Sequence, residues 1–189
     1  MDHDFQASEK FVDYSLIQNM KELMEATALV RVLQPKAVVE LGVYRGGTLY
    51  FWTRAAAPDA RIVGVDTPGT PESVNSNLQS WLLPTQQGKI ILADTKAPET
   101  RDQALDFLQR PIDFLFIDAE HTYESVKRDW ELWSPCVRPG GLVMFHDISH
   151  RDTDDPSIGV YQLWAEIKAV KPTREIMGDT AYGIGVVFL

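Results

Sequence analysis

Two acidic residues and two histidines stand directly after apolar segments of the chain. Asp118 follows one such segment and His121 comes three residues later, while His146 and Asp147 follow a second segment. Carboxylate oxygens are preferred ligands of hard divalent cations, and an imidazole can accept a proton near neutral pH. A single histidine is more often structural, but apolar strands alone need no such acids. The four residues therefore predict an active site with a proton acceptor and an oxygen-rich site for a divalent metal.

A glycine-rich turn follows another apolar segment. Within Val38–Thr48 the glycines are Gly42, Gly46 and Gly47, and Glu40 stands two residues before the first of them. Because glycine has no Cβ, the backbone can turn sharply and a ligand can approach the N–H groups that open a helix. The spacing differs from the G-x-G-x-x-G pattern of dinucleotide sites. The turn therefore predicts a small-molecule cofactor other than a nicotinamide dinucleotide.

Two further acids close apolar segments beyond the glycine turn. Asp66 stands about twenty residues after it, where a carboxylate can accept hydrogen bonds from both ribose hydroxyls of a nucleotide. The alternative is that Asp66 caps the next turn of the backbone. Asp94 closes the following segment and could accept a hydrogen bond from an adenine amine. Both positions favour a cofactor that contains adenosine.

The apolar segments alternate with stretches of helical spacing, which is typical of parallel β/α folds. Near the C-terminus, two short apolar segments are separated by a hairpin-like turn. We expect an α/β fold with a Rossmann-like, doubly wound sheet of seven strands, mostly parallel with an antiparallel C-terminal strand, and helices on both faces. The predicted strands are Ala37–Leu41, Arg61–Val65, Lys89–Ala93, Ile112–Ile117, Leu142–Phe145, Arg174–Met177 and Ile184–Leu189.

Helices and loops complete the predicted domain. A helical segment over residues 1–35 precedes a core over residues 36–189, and both belong to a single domain. The last helix begins at Asp155-Pro156 and ends before Pro172. The polar segment Ile148–Pro156 leaves the carboxyl end of a strand, so it is either a lid that contacts substrate or a solvated connection. The other predicted loops are Thr67–Glu72 and Pro84–Gly88. Helical spacing predicts one apolar stripe of Leu16, Met20, Leu23, Thr27 and Val30 and a helix over Tyr123–Trp133.

Composition restricts the classes of partner. The net charge of −9 and the lack of a basic run oppose binding to nucleic acid. No apolar run is long enough to span a membrane. Cys136 is the single cysteine and Met1-Asp2-His3-Asp4 lacks a signal-peptide pattern, so we expect a cytoplasmic protein. The segment Met1–Asp13 could cover the pocket or join a neighbouring subunit in a homo-oligomer.

Two longer motifs resemble a known family. The segment Phe116–Trp130, followed by Pro139–Asp147, is similar to the cephalosporin-hydroxylase-like and macrocin-O-methyltransferase-like branch of class I S-adenosylmethionine-dependent methyltransferases. The spacing E-x-G-x-x-x-G of the glycine turn resembles motif I of that class. With this turn, the resemblance covers nearly the whole chain.

The resemblance implies a cofactor and roles for individual residues. S-adenosyl-L-methionine would contact Glu40, Gly42, Tyr44, Gly46, Gly47, Thr48, Asp66, Asp94 and Asp118. By position, the ligands of a Mg²⁺ ion would be Asp118, His146 and Asp147, and the general base would be His121. His146 departs from the family, because metal-dependent relatives carry a carboxylate there. That leaves Mn²⁺ or Zn²⁺, Mg²⁺ held by the two acids and water, or no metal, with His146 then a second acid or base. Glu40 would face the methionine amino group or would only stabilise the turn.

The resemblance implies O-methylation of a small-molecule hydroxyl, such as that of a sugar, a glycoside or another secondary metabolite, with Asp118 and His121 as catalytic residues. Two other hypotheses remain. One is an NAD-dependent oxidoreductase, which the missing G-x-G-x-x-G pattern disfavours. The other is a cofactor-binding interaction protein without activity, which the strand-end acids and histidines disfavour.

Overall fold

The computed structural model describes residues 18–71, 73–149, 157–179 and 182–189. The strands are β1 (Ala37–Leu41), β2 (Arg61–Asp66), β3 (Gln87–Leu92), β4 (Ile112–Ile117), β5 (Val137–His146), β6 (Thr173–Ile176) and β7 (Ile184–Phe188). The helices are α1 (Met20–Leu33), α2 (Gly47–Ala55), α3 (Ser73–Trp81), α4 (Pro98–Leu108), α5 (Tyr123–Trp133) and α6 (Val160–Lys168), with a short 3₁₀ turn at Ser134–Cys136.

All seven strands form one sheet in the order β3-β2-β1-β4-β5-β7-β6. Strands β1 to β5 pair in parallel, whereas β7 runs antiparallel to β5 and β6 antiparallel to β7. The predicted seven-stranded, mostly parallel sheet with an antiparallel C-terminal pair is thus confirmed. The chain order reverses between β1 and β4, and a crevice at the carboxyl ends of strands at such a reversal is the usual ligand site of open α/β sheets.

Alternating side chains of the strands build an apolar layer on each face of the sheet. On one face, α1, α2 and α3 pack against residues such as Val38 and Phe116. On the other, α4, α5 and α6 pack against residues such as Val39 and Leu115. Side chains two residues apart on a strand share a face, so each central strand supplies both layers. None of the described helices is both long enough and apolar enough to cross a membrane.

Some element boundaries differ from those predicted from the sequence. Strand β3 begins at Gln87, so the predicted loop Pro84–Gly88 is wrong at its last two residues. Strand β5 extends back to Val137, well before the predicted start at Leu142. The regular part of α6 begins at Val160 after Gly159, later than the predicted start. That predicted start, at residues 155–156, lies outside the described part of the chain.

Helix α1 forms the described part of the predicted N-terminal helical segment. The Asn19 side chain caps it by accepting hydrogen bonds from the N–H groups of Lys21 and Glu22. Leu23 and Val30 of the predicted stripe are fully buried, but Met20 is 48% exposed and so does not belong to the core face. Leu16, the segment Met1–Asp13 and most of the predicted lid lie outside the described residues.

Candidate active site

A cavity of about 920 Å³ opens at the carboxyl ends of the central strands. It brings together most of the site residues predicted from the sequence, although the chain delivers them from several separate strand ends. Those on its wall are Gly42, Tyr44, Gly47, Thr48, Asp66, Asp94, Asp118, His121, His146 and Asp147. The glycine turn and the two acid–histidine pairs therefore share one cavity.

The glycine turn follows β1 and contacts the end of β4. Gly42 has φ of 85°, and a Cβ placed on it would lie 2.0 Å from the carbonyl oxygen of Asp118. No side chain fits there, so glycine is required for both its conformation and the close approach. Gly46, also with φ of 85°, precedes α2, and Trp81 at the end of α3 packs against it. Trp81, for which the sequence predicts no clear role, thus packs against the glycine turn.

Asp66 holds the backbone of the glycine turn. Its Oδ2 accepts hydrogen bonds from the N–H groups of Val43 at 3.0 Å and Tyr44 at 2.6 Å, and its Oδ1 accepts from the N–H of Thr67 at 2.7 Å. The hydrogen bond from Thr67 is the cap of the next turn that the sequence left open as the alternative, whereas the two bonds from the glycine turn were not predicted. Oδ2 thus already accepts two hydrogen bonds, whereas the second contact of Oδ1 is the Thr67 hydroxyl at 3.4 Å. A ribose hydroxyl would have to bind at Oδ1, and that contact stays a prediction.

Asp94 occupies the wall of the same cavity at the end of β3. Its Oδ1 accepts a hydrogen bond from the N–H of Lys96 at 3.0 Å, and the Lys96 Nζ lies 3.3 Å away. The backbone hydrogen bond from Lys96 is the main cause that holds the pKa of Asp94 below its usual value. An ionised, 59% exposed carboxylate is available to accept a hydrogen bond from a ligand amine.

Glu40 and Gly46 are not among the residues on the cavity wall. Glu40 is only 1% exposed within β1. Burial raises the pKa of its carboxyl well above the usual value, and the nearby Asp118 and Asp66 carboxylates raise it further. The buried Oε2 of Glu40 has no hydrogen-bond partner among the described residues, and both its contact with the cofactor and its role in the turn stay predictions.

Asp118, His121, His146 and Asp147, which we call the quartet, form a closed ring of contacts. The Nε2 atom of His121 lies 3.4 Å from Asp118 Oδ1 and 3.3 Å from Asp147 Oδ2. The Nδ1 atom of His146 lies 3.5 Å from Asp118 Oδ1 and 3.0 Å from Asp147 Oδ1. Each imidazole therefore contacts both carboxylates.

These contacts shift the pKa values of the quartet side chains. Burial alone would lower the pKa of His146, but the Asp118 and Asp147 carboxylates outweigh it and raise that pKa to about 10. Burial would likewise raise the pKa of Asp118, yet the two histidines hold it below its usual value. The contact with Asp118 raises the pKa of His121, and burial opposes this. At neutral pH His146 is thus an imidazolium between two carboxylates.

Three atoms of the quartet are spaced to hold a divalent cation. One ligand atom each from Asp118, His121 and Asp147 lies within 4.8 Å of the other two. The Nε2 atom of His121 is buried and has no hydrogen-bond partner among the described residues, which fits a ligand position. A set of two carboxylates and one imidazole suits Mn²⁺ or Zn²⁺ as well as Mg²⁺. The histidine in this possible ligand set is His121, whereas the ligand set that the resemblance implies contains His146.

Several residues of the cavity wall carried no signal in the sequence, among them Gln18 and Tyr182. The Gln18 Nε2 donates a hydrogen bond of 2.7 Å to Asp118 Oδ2 across 100 positions of the chain. The ring of Tyr182 stacks on that of His146, with centroids 6.1 Å apart. Neither lies in a motif that resembles the family, so only the fold reveals them.

A Tyr-x-x-x-Lys pair on α5 is also present. Tyr123 accepts a hydrogen bond of 2.8 Å from the Lys127 Nζ and donates one of 2.7 Å to Glu166. Such a pair is found in some nicotinamide-dependent oxidoreductases, but neither residue is on the cavity wall. The pair therefore gives no support to the oxidoreductase hypothesis.

Comparison with known proteins gives one family and consistent neighbours. A family model described as "Methyltransferase domain" matches residues 39–148. The chain is 27% identical over 145 residues to Probable caffeoyl-CoA O-methyltransferase 2 of Dictyostelium discoideum, covering 75% of this chain and 61% of that protein. It spans 18% of the length of another curated relative, so these relatives are longer than the chain.

Two solved structures show the same fold. The O-methyltransferase TomG of Streptomyces achromogenes, solved with S-adenosylmethionine, has a TM-score of 0.67 at 19% identity and covers 95% of this chain and 84% of its own. The MycE methyltransferase of the mycinamycin biosynthetic pathway, solved with Mg, S-adenosylhomocysteine and mycinamycin VI, has a TM-score of 0.61 at 18% identity. That match covers 87% of this chain and 48% of MycE.

Proposed function

The chain belongs to the methyltransferase-domain family whose model matches residues 39–148, and from this membership we propose that it is an S-adenosylmethionine-dependent O-methyltransferase. Its acceptor is a hydroxyl of a small molecule, such as a sugar, a glycoside or another secondary metabolite. The observation that carries the proposal is the single cavity shared by the glycine turn and the quartet. A methyl donor on the turn would lie beside groups that can take a proton from an acceptor.

The cofactor half of the cavity is proposed to hold the adenosine and methionine parts of the donor. Asp66 and Asp94 offer acceptor oxygens for ribose and adenine, and Gly47 and Thr48, which open α2, line the same cavity. A sulfonium methyl group is already activated toward attack. The protein must therefore align the acceptor and remove its proton.

His121 is the proposed general base. Its side chain is 42% exposed and that of His146 is 11% exposed, so His121 is the more open of the two imidazoles, although its Nε2 atom is buried against the two carboxylates. An alcohol is a poor nucleophile until its proton is removed, and the neutral form of His121 can accept that proton. Asp118 contacts the imidazole and orients it.

A divalent cation is part of the proposal as an assisting group. Asp118 and Asp147 would hold it, with water as the remaining ligands, so that the His121 imidazole stays available as the base. When bound, the cation would lower the pKa of the acceptor hydroxyl. The neighbour MycE was solved with Mg. We also place the enzyme in the cytoplasm, since Cys136 is its single cysteine.

Calorimetric titration with S-adenosylmethionine, S-adenosylhomocysteine and NAD, each with metal and with a chelator, tests the proposal. We expect binding of the first two ligands and none of NAD. Methyl transfer to an identified acceptor should fall by about 100-fold or more in His121→Ala and Asp118→Ala. Full turnover by both variants would remove the quartet from the chemistry, and NAD binding alone would favour an oxidoreductase.

A further inference from the structure

Gln18 joins the quartet through the oxygen of Asp118 that the histidines leave free. Asp118 Oδ1 faces both imidazoles, at 3.4 and 3.5 Å, while its Oδ2 accepts the 2.7 Å hydrogen bond from Gln18 Nε2. An ionised carboxylate only accepts hydrogen bonds, so the amide nitrogen of Gln18 must be the atom that faces it. The two oxygens of Asp118 therefore have different and fixed partners.

The chain holds Gln18 in place through the start of α1. Gln18 stands one residue before Asn19, whose side chain caps the helix. Three residues on from Asn19, the Glu22 Oε1 accepts a hydrogen bond of 2.7 Å from the N–H of Gly178 in the turn after β6. A Cβ on Gly178 would lie 2.6 Å from that Glu22 oxygen and 2.7 Å from Asn19, so the turn and the helix start are in close contact. The amide of Gln18 is thus delivered to the site by a well-anchored element.

We propose that Gln18 is a positioning residue for the quartet, which fixes the rotation of the Asp118 carboxylate so that Oδ1 faces His121 and His146. A carboxylate can rotate about its terminal bond at low cost, because that torsion is broad and nearly two-fold. A donor at Oδ2 with a distance of 2.7 Å favours one rotation. This inference rests on the proposed function, since the quartet is its proposed catalytic centre.

A simpler role for Gln18 would be to tie α1 to the sheet. The two roles differ in what they predict for variants of neighbouring residues. If the contact only anchors α1, then loss of the helix cap at Asn19 should harm the site as much as loss of the Gln18 amide. If Gln18 positions Asp118, the two variants should differ.

The test compares Gln18→Met, which keeps the length of the side chain and removes the donor, with Asn19→Ala as the matched control. We expect kcat of Gln18→Met to fall about 10- to 100-fold, the range for loss of a hydrogen bond to a charged group, with the KM of the acceptor little changed. Asn19→Ala should lower the melting temperature and keep kcat within about twofold of the wild type. Gln18→Glu, which places a second carboxylate against Asp118, should lose at least as much turnover as Gln18→Met.

A spectroscopic readout separates this inference from the proposed function. The chain has four histidines, so ¹H–¹⁵N spectra of the imidazoles are simple to assign. The signals of His121 and His146 should shift in Gln18→Met and not in Asn19→Ala, whether or not an acceptor is known. Unchanged signals in Gln18→Met, or equal shifts in both variants, would overturn the positioning role. If the wild type bound no S-adenosylmethionine, the proposed function would be contradicted, but the positioning role of Gln18 would not.

Discussion

His146 and Asp147 are consecutive in the chain, yet their side chains meet, with Nδ1 and Oδ1 3.0 Å apart. Consecutive side chains of an extended strand point to opposite faces of the sheet. Asp147 instead has φ of 61°, which ends β5 in a left-handed turn and brings both side chains to one cavity. Aspartate tolerates this conformation better than most residues. The quartet therefore depends on a backbone turn as well as on four residue types.

Replacement of the imidazolium at His146 by a carboxylate should change the affinity for Mg²⁺. We expect His146→Asp to bind Mg²⁺ at least about tenfold more tightly than the wild type, because a positive group between two carboxylates becomes a third oxygen ligand. Calorimetric titration with MgCl₂ measures this. His146→Asn, which removes the positive charge without adding a carboxylate, is the control and should gain less. Equal Mg²⁺ affinity in His146→Asp and the wild type would contradict the assignment of this site to metal binding.

Asp66→Ala should weaken both the fold and the binding of S-adenosylmethionine. Three backbone N–H groups would lose their acceptor, and because those of Tyr44 and Thr67 are exposed to water, we expect a loss of about 1 kcal/mol, mainly from the part-buried N–H of Val43. Thermal unfolding and calorimetry measure the two effects. Asp94→Ala is the comparison, since its exposed carboxylate accepts one local N–H. We expect that variant to lose affinity for the cofactor with little change in melting temperature, and an equal loss of stability in both would argue against the role of Asp66 in the turn.

Gly42→Ala should prevent formation of the native site. Its Cβ would meet the carbonyl oxygen of Asp118 at 2.0 Å, and its φ of 85° is strained for alanine. Gly69 lines the same cavity, and a Cβ placed on it would meet no atom within 4 Å, so Gly69→Ala is the matched control. Urea unfolding should show a loss of several kcal/mol for Gly42→Ala and about 0.5 kcal/mol or less for the control. Similar stability of the two variants would show that β1 and β4 can separate at their ends.

Asp129 on α5 should make stability depend on pH. It is completely buried, and burial raises its pKa to about 6, although Thr95 and Lys96 oppose the shift. Because the folded pKa exceeds the unfolded one, the protonated form is favoured by folding. That contribution is complete below about pH 4 and is lost as pH rises through about 6.

The variant Asp129→Asn tests this dependence. It should gain stability relative to the wild type as pH rises from about 4 to 7, by up to about 3 kcal/mol. The exposed Asp102→Asn is the control and should follow the wild type. Chemical unfolding at each pH gives the comparison, and parallel curves for Asp129→Asn and the wild type would show that the carboxyl is not buried in solution.

The central strands could be predicted from the sequence because each is buried on both faces. Strands β1 and β4 are buried at every residue and begin and end where the apolar segments do. Strand β3 lies at the sheet edge, and its partly exposed residues hide its start at Gln87. The first residues of β5 include Pro139, Gly140 and Gly141, which are more typical of a turn than of a strand.

The site could be predicted where its residues follow strand ends. Asp118, His121, His146 and Asp147 share one cavity because neighbouring parallel strands end at the same edge of the sheet. Gln18 could not be found in this way, since it belongs to no strand and meets Asp118 only through the docking of α1. A cap of the next turn could be predicted as an alternative role of Asp66, but only the geometry showed that its Oδ2 also holds the glycine turn.

The contact between Gly42 and the backbone of Asp118 has a consequence for how such a protein can diversify. The turn predicted to hold the methyl donor and the strand end that carries the proposed chemistry touch without room for a side chain, so neither can be altered alone. Ile158 and Tyr182 reach the same cavity from the segments that precede α6 and β7. New acceptor preferences can therefore be selected at these peripheral positions while the donor half is inherited intact, which makes them the places to randomise in directed evolution.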